Sequence, residues 1–452
     1  MKWKRNVRGW FSPGLGLKRW AVLTGISIAL IIIGLWSMVN NEHAKRWTIS
    51  FVNFLQRSIP DLTIGQGLVC AVLGITAALI SMRHFNDQYH KLSKNYMRLD
   101  AYYEDRRLAN SAKIVVIGGG TGLSVLLKGL KHYTANLTAA VSVGDDGGSS
   151  GRLRDEFGVA PVGDVRSCIV ALSDEEDIME QLFNYRFSRG QGLKGHNLGN
   201  LLLLALTNIS GSFQEAVSST DQILHIRGRV LPITIQPLEL KAELVDGSSV
   251  VGECNIGESE LQIKHLSIYP PYAEVVPEVL EAIDEADAVI LGPGSLYTSI
   301  MPNLCVHQVV DAIRESKCKT FYVCNVTTQP GETTDYTASD HLQAIYDHSC
   351  EEMIDYMLVD DGTIEPKVEL ADVLLQASTR VVVDHDKLDK MNTKVIETSL
   401  VNENNPYRHD SKKLAEAILE TLYSDKDFKM RHGLVKSTLM ARRFRQIEEE
   451  QH

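Results

Sequence analysis

Gly118, Gly119, Gly120 and Gly122 lie between the β-branched run Ile114–Ile117 and the apolar stretch Leu123–Leu130. They leave backbone N–H groups uncovered where a buried strand passes into a helix, and the positive end of a helix dipole favours an anion there. Phosphate binding by Gly119, Gly120, Thr121 and Gly122 is the chemistry this indicates. The dinucleotide fingerprint G-x-G-x-x-G would need its third glycine where the chain has Leu123, so that pattern is not met.

Four further loops carry groups of the same kind. Asp145 and Asp146 stand beside Gly147, Gly148 and Gly151, followed by Ser149, Ser150, Arg152 and Arg154. The paired carboxylates could take a ribose hydroxyl or hold Mg²⁺ on a bound phosphate; Ser149 and Ser150 add donors, and Arg154 could clamp phosphate. Asp164, a third carboxylate, either completes a metal or hydroxyl site or caps the helix after it. In 195–205, Asn197 and Asn200 carry amides suited to a base or sugar, and His196 could contact phosphate or move a proton. A helix cap and a buried structural histidine are the alternatives for Asn197 and His196. Gly294, Ser295, Tyr297 and Thr298 repeat the strand, glycine and helix layout, a second phosphate candidate. Asn325 and Thr327 end another strand, and Arg408 precedes a helix from where it could reach a ligand's phosphates. No nucleophile with an adjacent base stands out, so no residue is assigned as catalytic.

A common scaffold must bring these loops together. Strands at 114–117, 137–143, 288–291 and 320–324 alternate with helical stretches, which predicts right-handed βαβ units and a Rossmann-like, mostly parallel α/β sheet with all the loops on one carboxyl edge. Residues 227–269 alternate around Asp246 and Gly247 and predict an inserted antiparallel β subdomain, a wall of the cleft without chemistry of its own. Arg380–Asp384 reads as a late strand. Leu414, Ile418 and Leu422 share one face of a helix over 412–423, capped by Asp410 or Ser411. The body spans 113–425, and a charged helical tail spans 426–452.

The 452 residues carry a net charge of −11. Residues 1–112 hold 15 Lys and Arg against 6 Asp and Glu, leaving 31 against 51 for the rest. So acidic a body excludes nucleic acid as a partner. Seven scattered cysteines without a C-x-x-C pair read as reduced thiols. Two uncharged runs, 20–39 and 62–82, are each long enough at 1.5 Å per residue to cross a bilayer core of roughly 30 Å. With Lys and Arg concentrated outside the connecting loop, they predict a membrane hairpin over 1–82 with both termini and the body cytoplasmic. The loop itself suggests an interfacial helix over 47–59, and 83–112 reads as a helical stalk that could self-associate.

The motifs Ile117–Leu123, Asp145–Arg154, Gly195–Asn200, Gly292–Ser299 and Asn325–Thr333, in this order, resemble the 2-phospho-L-lactate transferase-like family, most closely its bacterial branch of gluconeogenesis factors. The resemblance covers about 113–425. It implies a Rossmann-like fold, a UDP-sugar ligand such as UDP-N-acetylglucosamine, and roles in carbon metabolism, gluconeogenic growth and cell-shape or envelope maintenance. It further implies a nucleotide site at Gly119–Gly122, metal ligands at Asp146 and Asp164, and an arginine, Arg408, that closes on the ligand. Ser411 lies where a hydroxyl residue of the branch is phosphorylated. Archaeal members are similar in fold and transfer a phospholactyl group to a deazaflavin with Mg²⁺. The expectation is a membrane-tethered regulator with envelope-synthesis or regulatory proteins as partners; the alternative is a Mg²⁺-dependent transferase of a phosphoryl-linked group.

Overall fold

The computed structural model describes residues 25–29, 72–80, 82–83, 108–173, 178–259, 261–364, 378–402 and 405–451. The chain divides into two compact units, Met1–Arg106 and Arg107–His452. Within the first, residues 25–29, 72–80 and 82–83 are helical. The two expected membrane spans are corrected: no helix among the described residues is long and apolar enough to cross a membrane. The rest of both stretches, the loop helix at 47–59 and the stalk residues 84–107 lie outside the described residues. The multi-pass membrane localisation read from those spans is withdrawn with them.

The second unit is built on a seven-stranded sheet in the order β10-β9-β8-β7-β1-β2-β3. In chain order its strands are β1 (Ile114–Gly118), β2 (Leu137–Val141), β3 (Arg229–Pro232), β7 (Ala288–Leu291), β8 (Lys319–Val323), β9 (Tyr356–Asp360) and β10 (Lys394–Thr398), and every pairing is parallel. All residues of β1, β2 and β7 are buried, as strands covered on both faces require. From β1 the chain steps to β2 and β3 on one side; β7, its other neighbour, leads to β8, β9 and β10 in the opposite direction. The sheet therefore has a topological switch point between β1 and β7, outside whose carboxyl ends a crevice forms.

A separate three-stranded antiparallel sheet, β4 (Glu239–Leu244), β5 (Ser249–Val251) and β6 (Ile263–Tyr269), is inserted between β3 and β7. It begins later than the expected 227 because β3 pairs with β2 in the main sheet. The expected hairpin is present, with Gly247 at φ +84° and Asp246 Oδ1 accepting from the Ser248 N–H at 2.9 Å. Helices that place the site are α1 (Gly120–Leu130), α2 (Gly148–Phe157), α3 (Gly163–Leu172), α4 (Leu198–Ser210), α5 (Glu253–Gly257), α6 (Ala338–Asp347) and α7 (Ser411–Ser424).

Two expectations change at the C-terminal end. Arg380–Asp384 forms only an isolated bridge between Arg380 and Thr327. The Asp384 carboxylate instead accepts from Ser339 N–H at 3.0 Å and Thr337 Oγ1 at 2.9 Å, tying this segment to the start of α6. The tail helices α8 (Lys426–His432) and α9 (Leu434–Gln451) dock on the body: Phe444 packs against Tyr133 and Tyr423 with ring centroids 5.4 and 5.7 Å apart.

Candidate functional site

At the switch point the loops after β1 and β7 meet backbone to backbone. A Cβ on Gly122 would lie 2.5 Å from the carbonyl oxygen of Pro293, so only glycine permits this approach. Gly119 is the N-cap of α1 and makes no side-chain cap, which leaves the first-turn amides of α1 facing the cleft mouth. Leu123, where a dinucleotide fold would have its third glycine, is fully buried in the core.

The cleft has a volume of about 390 Å³. Of the residues singled out from sequence, Gly119, Gly120, Thr121, Gly122, Gly294, Ser295, Asn325, Thr327 and Arg408 line it. Asn325 and Gln329 hold the second loop: Asn325 Nδ2 donates to the Gly294 carbonyl at 2.9 Å and Gln329 Nε2 to Ser295 Oγ at 2.7 Å. Arg408 is exposed in the same lining, carried by the short antiparallel pair β11 (Val401–Asn402) and β12 (Asn405–His409). The pair is anchored by His409, whose ring N–H donates to the Cys324 carbonyl at 3.1 Å. Burial pushes the His409 pKa down to about 4, so this anchor is neutral.

Other candidates serve structure instead of lining the cleft. Asn197 caps α4 by accepting from the Asn200 N–H. Buried Ser149 bridges His196 Nδ1 and the Asn197 N–H, each at 3.2 Å, and Ser150 Oγ accepts from the Gly163 N–H at 3.1 Å. Burial and the nearby Arg152 hold His196 below its ordinary pKa. Arg154 pairs with Asp155 at 3.1 Å. The Tyr297 amide and Thr298 Oγ1 donate to buried Glu332, while the Tyr297 hydroxyl meets that of Tyr336 at 2.9 Å.

Three carboxyls gather beside the first glycine loop, and Glu253 is the one of them that lines the cleft. Asp164 sits over the first glycine loop, where a Cβ on Gly119 would be 2.5 Å from its Oδ2. It does not cap α3, whose N-cap is Val162. Burial and the neighbouring Asp145 push the Asp164 pKa up to about 7, against the opposing pull of the Gly120 N–H and Arg166. Asp145 is itself raised, chiefly by burial and then by Asp146. Glu253, at the start of α5, lines the cleft and is pushed up to about 9 by burial, Asp145 and Asp164. Sequence patterning gave no signal for Glu253, because its neighbours come from loops more than 80 residues away.

Carboxyl oxygens that repel one another beside a phosphate-type loop suit a hard divalent cation. Among the described residues no group of three His, Cys, Asp or Glu side chains forms a metal cage. That donor set fits Mg²⁺, which takes one or two carboxylates and completes its shell with water and phosphate oxygens. The carboxylate brought beside Asp164 is Asp145; Asp146 turns to the inserted sheet, accepting from the Cys254 N–H at 3.0 Å.

Comparison with known proteins agrees with this architecture. Residues 114–401 match the family profile of 2-phospho-L-lactate transferase CofD. Gluconeogenesis factors from Halalkalibacterium halodurans and Bacillus subtilis are 47% and 44% identical, over 68% and 70% of this chain and 95% and 99% of their own. A relative from Clostridium acetobutylicum is 39% identical over 97% of this chain and 96% of its own length. The crystal structure of a UPF0052 family member from Bacillus halodurans, 45% identical, superposes with a TM-score of 0.65 over 68% of this chain and 99% of that one. The chain belongs to the family of the 2-phospho-L-lactate transferase CofD and the gluconeogenesis factors.

Proposed function

We propose that the cleft binds a nucleotide-type ligand through its diphosphate and transfers a phosphoryl-linked group from it. The observation that carries this reading is the meeting, at one switch point, of two bare glycine loops with a crowded carboxyl pair, Asp145 and Asp164. The amides of Thr121, Gly122 and the Gly294–Ser295 turn supply neutral donors to phosphate oxygens, and Arg408 adds a bidentate cation to the same lining. Asn325 and Gln329 keep the second loop in place for that contact. Asp145 and Asp164 would hold Mg²⁺, which when bound neutralises phosphate charge during transfer. Transfer of this kind depends on positioning and charge more than on a covalent protein intermediate, and the cleft supplies such groups. Family membership supports a transferase-like role and leaves the donor and acceptor to experiment.

Isothermal titration calorimetry with UDP, GDP and UDP-N-acetylglucosamine, in Mg²⁺ and in EDTA, tests the reading. Binding is expected, weakened at least tenfold by EDTA and about tenfold, or roughly 1.4 kcal/mol, by Arg408→Ala. Mass spectrometry of an acceptor panel then reports turnover. A nucleotide sugar that binds and is never consumed would make the site a sensor; no heat with any nucleoside diphosphate would sink the proposal.

A further inference from the structure

Asp145 and Asp146 are adjacent in sequence and point to different places. Asp145 Oδ1 accepts from its own loop, the Gly147 N–H, at 2.9 Å, and its Oδ2 faces Gly163 so closely that a Cβ there would be 2.6 Å away. Asp146 faces the turn between β5 and α5 with both oxygens. Its Oδ1 accepts from the Cys254 N–H, 108 positions along the chain, and its Oδ2 would lie 2.5 Å from a Cβ on Gly252. Gly252 has φ +93° and donates its N–H to the Leu240 carbonyl at 2.8 Å, so the turn is tied to β4 on its other side. Between Gly252 and Cys254 stands Glu253, the one residue of the inserted sheet and its short helix that lines the cleft. Just beyond the C-terminal end of α5 the backbone is also closely packed: a Cβ on Gly331 would clash with the Ser259 carbonyl oxygen.

We propose that Asp146 is a positioning residue, a latch between the aspartate loop and the inserted sheet, and that the latch presents Glu253 to a hydroxyl of the bound ligand. A carboxyl can donate to such a hydroxyl or accept from it, whereas the backbone of the glycine loops offers N–H donors suited to phosphate. The inserted sheet is thereby the part of the site that reads what is attached to the diphosphate. The Glu253 half of this proposal rests on the nucleotide reading above; the latch half stands on the free protein.

The experiment uses the full chain and four variants, Asp146→Ala, Asp146→Asn, Glu253→Ala and Glu253→Gln. Hydrogen exchange of 249–258 in the free protein is expected to rise at least tenfold in Asp146→Ala and less than threefold in Asp146→Asn, because an amide oxygen still accepts from Cys254. Titration with UDP-N-acetylglucosamine should weaken at least tenfold in Asp146→Ala and Glu253→Ala, less in Asp146→Asn and Glu253→Gln. Titration with UDP should change less than threefold in Glu253→Ala. If Asp146→Asn loses Mg²⁺-dependent binding as fully as Asp146→Ala while the Cys254 amide stays protected, Asp146 is a cation ligand and the latch is wrong. Equal losses for UDP and its sugar in Glu253→Ala would overturn the hydroxyl contact. If the wild type binds neither, the nucleotide reading and the Glu253 role fall together, and the exchange data alone decide the latch.

Discussion

Asp164 and Glu253 are ionisable groups whose charge the folded protein disfavours, and the sign of the effect is fixed by the direction of their shifts. Both have folded pKa values raised above the ordinary carboxyl values of 3.8 and 4.5, to about 7 and about 9. In such a case the folded state binds more protons than the unfolded one, so stability falls as pH rises. The contribution is complete below about pH 4 and is lost as pH passes through about 7 for Asp164 and about 9 for Glu253. Asp164→Asn removes the charge and keeps an oxygen for the Gly120 N–H. In EDTA its thermal midpoint should exceed that of the wild type by a margin that grows from pH 4 to about 7 and is flat above, reaching on the order of 4 kcal/mol, several degrees. Addition of Mg²⁺ at pH 8 should raise the wild type and leave the variant unmoved. A margin independent of pH, measured by differential scanning calorimetry, would show that Asp164 does not titrate in this window.

At the level of the element, α7 links packing to the cleft. Asp410 caps it, accepting from the Lys412 and Lys413 N–H groups at 2.9 and 3.0 Å, and Leu414, Ile418 and Leu422 are fully buried. The same residue directly follows β12, so the cap also fixes where the strand that carries Arg408 ends. Asp410→Ala is expected to cost about 1 kcal/mol in urea denaturation and to lower nucleotide affinity a few-fold through Arg408. Gly129→Ala should cost more, about 1–3 kcal/mol, because its Cβ would fall 1.9 Å from the Ser411 carbonyl oxygen and backbone cannot yield as a side chain does. This helix was legible in the sequence because apolar spacing and a capping aspartate sit within one short stretch. The glycine loops were legible for a similar reason, each being a local strand-to-helix signal. Glu253 was not, since its position depends on the fold of a distant insertion. Tyr297 and Asn197 each carry a polar group that could serve a ligand; in the folded protein those groups meet the Tyr336 hydroxyl and cap α4. The edge strand β10 passed unnoticed because its alternation, with Lys394 and Glu397 exposed, resembles a solvated turn region.

For the whole molecule, the boundary of the cooperative unit differs from the one that composition suggests. Leu108 and Ala112 are buried in the body's core ahead of β1, and Phe428, Met440, Phe444 and Ile447 are buried in it after residue 425. The tail also donates Arg431 Nη1 to the Ala286 carbonyl at 2.7 Å and places His432 Nε2 2.6 Å from Asp287. Asp287 Oδ2 in turn accepts from the Lys113 N–H at 2.9 Å, at the root of β1. A fragment over 107–452 therefore retains a closed core, and is expected to unfold in one transition with a midpoint within about 3 °C of the same transition in the full chain. A fragment over 113–425 strips Leu108 and the Phe444 contacts with Tyr133 and Tyr423. Loss of one buried phenylalanine alone costs about 3–5 kcal/mol, comparable to a large share of a domain's net stability of about 5–15 kcal/mol. That shorter fragment should melt far lower and bind the dye ANS, although every residue lining the cleft is present in it. If it instead matches the longer fragment in midpoint and in nucleotide binding, the tail is an appendage, and the sheet with the helices of 113–425 suffices to hold the two glycine loops together.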